Sequence, residues 1–173
     1  MRYAYLAGGC FWCVTPVFAA EPGVESVVSG YCGGDEPDPC YEDVKAQRTG
    51  HREAIRIEYD EDVIGFPALL DLFFGSVDVE DGGDQFIDRG RSYTLAVYCT
   101  CPEEKETAEA KVAHLLESHE KVFVSIEPYK TFWRAEERHQ DYYRKEPEKF
   151  MEELISSGRG AACTAAKRRG GIK

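Results

Sequence analysis

The sequence predicts a single α+β domain. Three observations carry that prediction. Stretches with a two-residue apolar period alternate with stretches of helical period along the whole chain. No internal repeat and no domain-length linker interrupts the 173 residues. Hydrophobic residues make up 43% and aromatic residues 12%, enough for one folded core rather than a disordered chain.

The elements follow in order. Tyr3-Ala4-Tyr5-Leu6-Ala7 reads as a short strand. From Cys10, the residues Val14, Val17 and Phe18 fall at helical spacing, and Glu21-Pro22-Gly23 ends that helix. Val24 to Tyr31 reads as a strand, and Cys32 to Pro39 as a Gly/Pro/Asp-rich loop. Thr49-Gly50-His51 leads into a strand from Glu53 to Tyr59, with Glu53, Ile55, Ile57 and Tyr59 on one face. Pro67 to Phe74 is a short helix and Ser76 to Arg91 an Asp/Gly-rich loop. Tyr93 to Tyr98 is a strand with Tyr93, Leu95 and Val97 on one face. Thr100-Cys101-Pro102-Glu103 has the pattern of a capping box with an early proline. The helix it opens places Ala108, Val112, Leu115 and Leu116 on one stripe. Val122 to Ile126 is a strand, Tyr129 to Tyr143 an aromatic and charged stretch, and Pro147 to Ile155 a last helix.

Charge and cysteine usage bound the function. The formal net charge of -11 argues against nucleic acid and against anionic membrane surfaces as partners. No apolar run reaches the length of a membrane span, and no signal-peptide pattern precedes Cys10. Seven cysteines without an export signal fit a reducing cytoplasm better than a disulfide framework. The C-terminal stretch reverses the charge trend: Arg159, Lys167, Arg168, Arg169 and Lys173 carry no acidic neighbour. Residues 1–157 are therefore expected to form the domain, and residues 158–173 a flexible basic tail that carries Cys163.

Cys10 is the residue most suited to chemistry. It stands in Gly8-Gly9-Cys10-Phe11-Trp12-Cys13, where a strand gives way to a helix. A thiol at a helix N-terminus meets unpaired N–H groups and the positive end of the helix dipole, which favour thiolate. Phe11 and Trp12 behind it can wall an apolar pocket. The C-x-x-C of Cys10 and Cys13 is open to several readings: a redox pair, half of a zinc site, or coincidence. Zinc is disfavoured, because neither Cys32 with Cys40 nor Cys99 with Cys101 repeats the spacing. Glu53 shares a face with Ile55 and Ile57. Alternation alone leaves it either a carboxylate satisfied at the strand end or a group kept for chemistry. His51 follows a glycine turn, and a Cys–His pair cannot be read from one sequence. His139 is most simply a surface or packing residue.

Six segments, taken in order and at their spacing, are far more specific than any one of them. They are Gly9-Cys10-Phe11-Trp12, Gly30-Tyr31-Cys32-Gly33-Gly34, Pro39-Cys40-Tyr41-Glu42-Asp43-Val44, Thr49-Gly50-His51-Arg52-Glu53-Ala54, Asp88-Arg89-Gly90-Arg91-Ser92-Tyr93 and Glu137-Arg138-His139-Gln140-Asp141-Tyr142. From Tyr3 to Phe150 the chain resembles the peptide methionine sulfoxide reductase A family. The resemblance implies a two-layer α+β sandwich with a mixed sheet, a ferredoxin-like core and much coil. It implies reduction of methionine S-sulfoxide, free or in proteins, without metal or organic cofactor, and a monomer. Cys10 is implied as nucleophile, Phe11 and Trp12 as walls for the substrate methyl, and Glu53 as the acid for the sulfoxide oxygen. Tyr41 and Tyr93 are implied as hydroxyl donors to that oxygen, with Asp88 in the same pocket. A cysteine sulfenic acid on Cys10 would then be closed to a disulfide and recycled by thioredoxin or a similar dithiol.

This chain departs from the family pattern in its other thiols. Cys13 replaces a common glycine. Cys163, in the tail, ranks first as resolving thiol, Cys13 second, and Cys40, beside Tyr41, third; Cys32, Cys99 and Cys101 are expected to be incidental. Ser92-Tyr93-Thr94 stands where relatives have Gln-Tyr-Arg, so an arginine that organises carboxylates is missing. Three rival readings remain at this level: a general thiol–disulfide oxidoreductase using Cys10 and Cys13, a non-catalytic sulfoxide-binding module, and a thiolate metal-binding protein.

Overall fold

The structure, a computed structural model, describes residues 1–159, with Asp84 described by its backbone alone. Six strands form one mixed sheet. In chain order they are β1 (Arg2–Gly8), β2 (Val24–Cys32), β3 (Arg52–Tyr59), β6 (Leu95–Cys99), β7 (Val124–Pro128) and β8 (Phe132–Arg134). A separate two-stranded hairpin, β4 (Asp84–Gln85) and β5 (Asp88–Arg89), lies inside the Asp/Gly-rich loop. The helices are α1 (Phe11–Ala19), α2 (Tyr41–Lys45), α3 (Phe66–Ser76), α4 (Pro102–Leu115), α5 (Tyr142–Lys145) and α6 (Pro147–Ser156). The spatial order of the sheet is β7-β6-β1-β3-β2-β8. Strands β6, β1, β3, β2 and β8 pair antiparallel in that order, and only the β7–β6 pair is parallel.

Alternation decides which face of the sheet carries the core. Ala4 and Leu6 of β1, Ile55, Ile57 and Tyr59 of β3, and Leu95 and Val97 of β6 point to one side. There they meet Phe11, Val14 and Phe18 of α1 and Leu69, Leu70 and Phe73 of α3. Each fully buried aromatic or aliphatic side chain contributes about 2 kcal/mol to this layer. Ala108 of α4 extends the same core. Tyr5, Ala7, Ala54, Ala96 and Tyr98 point to the other face, which Tyr129 and Phe132 cover. A register shift between Val24 and Ser26 of β2 brings Val24 and Val27 onto the helix side together.

Several sequence expectations need adjusting. Tyr93 does not belong to the strand; it closes a tight 3-10 turn over Arg91–Tyr93 that precedes β6. The strand near 122 begins at Val124. The capping box at Thr100 is displaced by one residue: Cys101 is the cap position, and Glu104 reaches back to the Thr100 N–H (2.7 Å) and hydroxyl (3.0 Å). Leu116 ends α4 half exposed, because the helix finishes before its side chain turns inward. Strand β8 was not foreseen. It is three residues long and depends on a bare partner: a Cβ at Gly30 would stand 2.3 Å from the Trp133 carbonyl oxygen. No helix among the described residues is long and apolar enough to cross a membrane.

Candidate active site

The site forms where β1 ends and α1 begins. Gly9 takes φ +82°, a left-handed conformation that glycine adopts without strain, and a Cβ there would lie 2.7 Å from the Gln85 side chain. That turn sets Cys10 at the cap of α1, where its carbonyl accepts the Cys13 N–H (3.1 Å) and Val14 N–H (3.3 Å). The first N–H of α1 does not wait for solvent. Phe11 N–H donates to Glu53 Oε2 at 3.1 Å. Glu53 reaches it from the first residues of β3, on the face that its alternation with Ile55 and Ile57 dictates. Both sequence readings of Glu53 therefore have a physical basis: its carboxyl is satisfied by a partner, and that partner is the backbone beside Cys10.

Burial governs the acid–base character of this cluster. Glu53 is 2% exposed, and loss of solvent raises its carboxyl to about 8 despite the Phe11 N–H. Asp88, on β5, is raised from the usual carboxylate range by partial burial, while the Arg159 and Lys45 cations oppose that rise. Tyr41, first residue of α2, and Tyr93 both have phenols held above their ordinary range by burial and by the Glu53 carboxyl. Cys10 and Asp88 act on both phenols as well, so these five side chains are electrostatically linked. At neutral pH the phenols and Glu53 all keep their protons, which supplies a set of hydrogen-bond donors around Cys10.

The thiols behave differently from the sequence expectation. Cys10 is 8% exposed and Cys13 7%. They are hydrogen-bonded to each other, and that bond splits their acidity. Cys10 is pushed up by the Cys13 hydrogen bond, by burial and by the acidic groups near it. Cys13 is pulled down by the Cys10 hydrogen bond and by the Arg159 cation. The helix N-terminus alone does not make Cys10 the thiolate, because Glu53 already occupies the Phe11 N–H and the environment is acidic. Cys40, at the cap of α2, turns its thiol toward the exposed Glu42 and Asp43 carboxylates. Cys32 is buried with the far-face cluster, Cys99 joins the helix-side core, and Cys101 caps α4. All six described cysteines are free thiols, and Cys163 lies outside the described residues.

The wall of the site is aromatic, and part of it was missed from sequence. Phe11 and Trp12 lie next to each other, with ring centroids 6.3 Å apart. Tyr142 of α5 stacks on Trp12 with ring centroids 4.1 Å apart, and His139 packs tilted against Tyr41 at 4.3 Å. The Trp12 indole N–H donates to His139 Nδ1 at 3.2 Å. His139 is 3% exposed, so it is a built part of the wall and not a surface residue. Glu136 joins the elements behind it, accepting from the Tyr31 hydroxyl (3.1 Å) and the Tyr41 N–H (3.3 Å). The signal for these residues lay in the segment Glu137 to Tyr142, whose pattern carried the resemblance but no role. Thr94 accepts from Arg52 Nε (2.7 Å), and Ser92 pairs twice with Gln47 (2.7 and 3.0 Å). These bonds hold the turn that presents Tyr93.

Comparisons with known proteins identify the family. The peptide methionine sulfoxide reductase family model matches residues 2–169. Peptide methionine sulfoxide reductase MsrA 2 of Staphylococcus aureus is 44% identical over 163 residues, covering 92% of each chain. Methionine sulfoxide reductase A of Corynebacterium diphtheriae superposes with a TM-score of 0.81 at 27% identity, over 84% of this chain and 75% of that one. Reduced Mxr1 of Saccharomyces cerevisiae gives 0.79 at 28% identity, over 85% and 86%. With its motifs, its fold and its full-length relatives in accord, the chain belongs to the peptide methionine sulfoxide reductase family.

Proposed function

We propose that this chain reduces methionine S-sulfoxide to methionine at Cys10, in proteins or as the free amino acid, and is recycled by thioredoxin or a similar dithiol. The observation that carries the reading is the meeting of a buried thiol, a neutral buried carboxyl and two phenols in front of an aromatic wall. A sulfoxide has a polar oxygen and an apolar methyl, and this site offers donors for one and rings for the other. Cys10 passes its proton to Cys13 and attacks the sulfoxide sulfur. Glu53 gives a proton to the oxygen, with Tyr41, Tyr93 and Asp88 around the charge that develops there. Phe11 and Trp12 hold the methyl. The oxygen leaves with the Cys10 sulfur, so methionine and a Cys10 sulfenic acid are the products.

Cys13 is the resolving thiol we favour, on its hydrogen bond with Cys10. Its sulfur attacks the sulfenic sulfur, an S–S bond forms, and the oxygen departs as water. The tail thiol Cys163 and the outward-turned Cys40 are the alternatives. One structure of the yeast relative Mxr1 is in complex with Trx2, which supports a thioredoxin as the reductant here. The βαββαβ order of β1-α1-β2-β3-α3-β6, with antiparallel pairing throughout, supports a ferredoxin-like two-layer core. We place the catalytic domain at residues 1–159 rather than 1–157, because Arg159, expected to open the tail 158–173, is buried against the Gly8 carbonyl, and we place the protein as a monomer in the cytoplasm. No nucleic acid, membrane, metal or cofactor enters the reaction we propose.

A second reading rests on the same thiol pair: general thiol–disulfide exchange at Cys10 and Cys13. The two readings separate at Glu53. Glu53→Gln should abolish sulfoxide reduction while sparing disulfide exchange. Equal sulfoxide turnover in wild type and Glu53→Gln would remove the acid role and favour exchange. Replacing Cys163 by Ser should leave thioredoxin-driven cycling intact, and replacing Cys13 should stop it; the reverse result moves the resolving role to the tail.

A further inference from the structure

Arg159 opens the segment expected from sequence to be a tail, yet it is 1% exposed. Its Nη2 donates to the Gly8 carbonyl at 2.5 Å, in the turn immediately before Cys10. Its guanidinium lies 5.1 Å over the Phe86 ring, at the tip of the β4–β5 hairpin that also carries Asp88. Its Nη1 is 3.2 Å from where a Cβ on Gly9 would stand. Among the described residues it makes no salt bridge, and both Nε and Nη1 are buried without a hydrogen-bond partner. A buried cation with unsatisfied donors is costly and needs a reason.

We propose that Arg159 is a positioning residue for the resolving step: its guanidinium, fixed on the Gly8 carbonyl behind Cys10, holds Cys13 as the anion that attacks the Cys10 sulfenic acid. This rests on the reading that Cys13 resolves Cys10. In that step the Cys13 thiolate supplies the electron pair of the new S–S bond. The S–O bond of the sulfenic acid breaks, and hydroxide leaves with one proton as water. The groups whose charges act on Cys13 are Cys10 at the cap of α1, Glu53 on β3, Asp88 on β5, Glu153 on α6, and Arg159, which the Gly8 carbonyl holds at the turn leading into α1. Three are carboxyl groups whose ionised forms oppose a thiolate there. Arg159 is the cation set against them. It also opposes protonation of Asp88, so it acts on both sides of the thiol pair.

The test is the pH profile of Cys13 alkylation by iodoacetamide, read by peptide mass, in the Cys10→Ser background. Removing the cation with Arg159→Met should raise the midpoint by about one pH unit. Thiolate falls about tenfold below both midpoints, but a more basic thiolate is about threefold more nucleophilic. The net change is therefore about threefold slower at low pH and about threefold faster at high pH, so the two curves cross. Arg159→Lys keeps the charge and should restore the midpoint. An unchanged midpoint in Arg159→Met overturns the proposal. So does a profile slowed by one factor at every pH, or a shift in Arg159→Lys as large as in Arg159→Met. The underlying reading is tested separately with Cys13→Ser and one equivalent of sulfoxide. If that variant closes a disulfide as fast as wild type, Cys13 is not the resolving thiol, whatever the alkylation profile shows.

Discussion

At the scale of single residues, Glu53 shows how one buried group is exchanged between stability and function. Its ordinary carboxyl value is 4.5, and burial in the folded protein raises it to about 8. Its folded value lies above its unfolded one. Its contribution is therefore most favourable below about pH 4.5 and is lost progressively as pH rises toward 8. At pH 7 the cost of keeping it neutral is about 3 kcal/mol. Glu53→Gln, a neutral isostere that still accepts from Phe11 N–H, should recover much of that stability. Urea unfolding at pH 5 and pH 8 should show a smaller pH dependence in the variant than in wild type. Activity should move the other way, falling about 10²- to 10³-fold as the acid is removed. In the wild type, methionine release should decline as pH rises through about 8, where Glu53 loses its proton. Tyr41→Phe and Tyr93→Phe each remove one donor to the oxygen. Each should lower kcat by about ten- to a hundredfold with a smaller effect on KM, measured in steady state with dithiothreitol.

At the scale of elements, the local signals that survived are those sustained along a whole element. The alternation of Glu53, Ile55, Ile57 and Tyr59 was readable because β3 is buried on one face along its whole length. The cap of α1 was readable because a glycine pair stands between an apolar strand and helical spacing. What could not be read depends on contacts distant in sequence. Strand β8 exists because Gly30 leaves room for Trp133, and the β4–β5 hairpin is two residues on each side. His139 was open to a surface or a packing reading because its neighbours are charged, and the Trp12 N–H and the Tyr41 ring select packing. The acidity of the thiols was misjudged from the helix dipole, because the competing carboxyl comes from another strand. The turn at Gly9 gives the sharpest test at this scale. Gly9→Ala forces a side chain into a left-handed backbone and against Gln85. It should cost about 1–3 kcal/mol of stability and reduce activity more than stability, because Cys10 is displaced. Thermal unfolding and turnover on the same preparation check both.

At the scale of the whole molecule, strand order turns separated segments into one site. Cys10 follows the central strand β1, Glu53 begins the adjacent strand β3, and the loop before β6 supplies Asp88 and Tyr93. These strands converge at one end of the sheet, so residues far apart in sequence share one pocket. Arg159 then closes the chain back onto the first strand through the Gly8 carbonyl. The family motifs were legible as a set, while the thiol economy of this chain was not, since it depends on which sulfurs touch. The most direct test of the account is turnover of the separate S and R epimers of a blocked methionine sulfoxide with dithiothreitol, in wild type and Cys10→Ser. We expect reduction of the S epimer alone, abolished in Cys10→Ser. Reduction of neither epimer, or full activity without the Cys10 thiol, would contradict the assignment of this site.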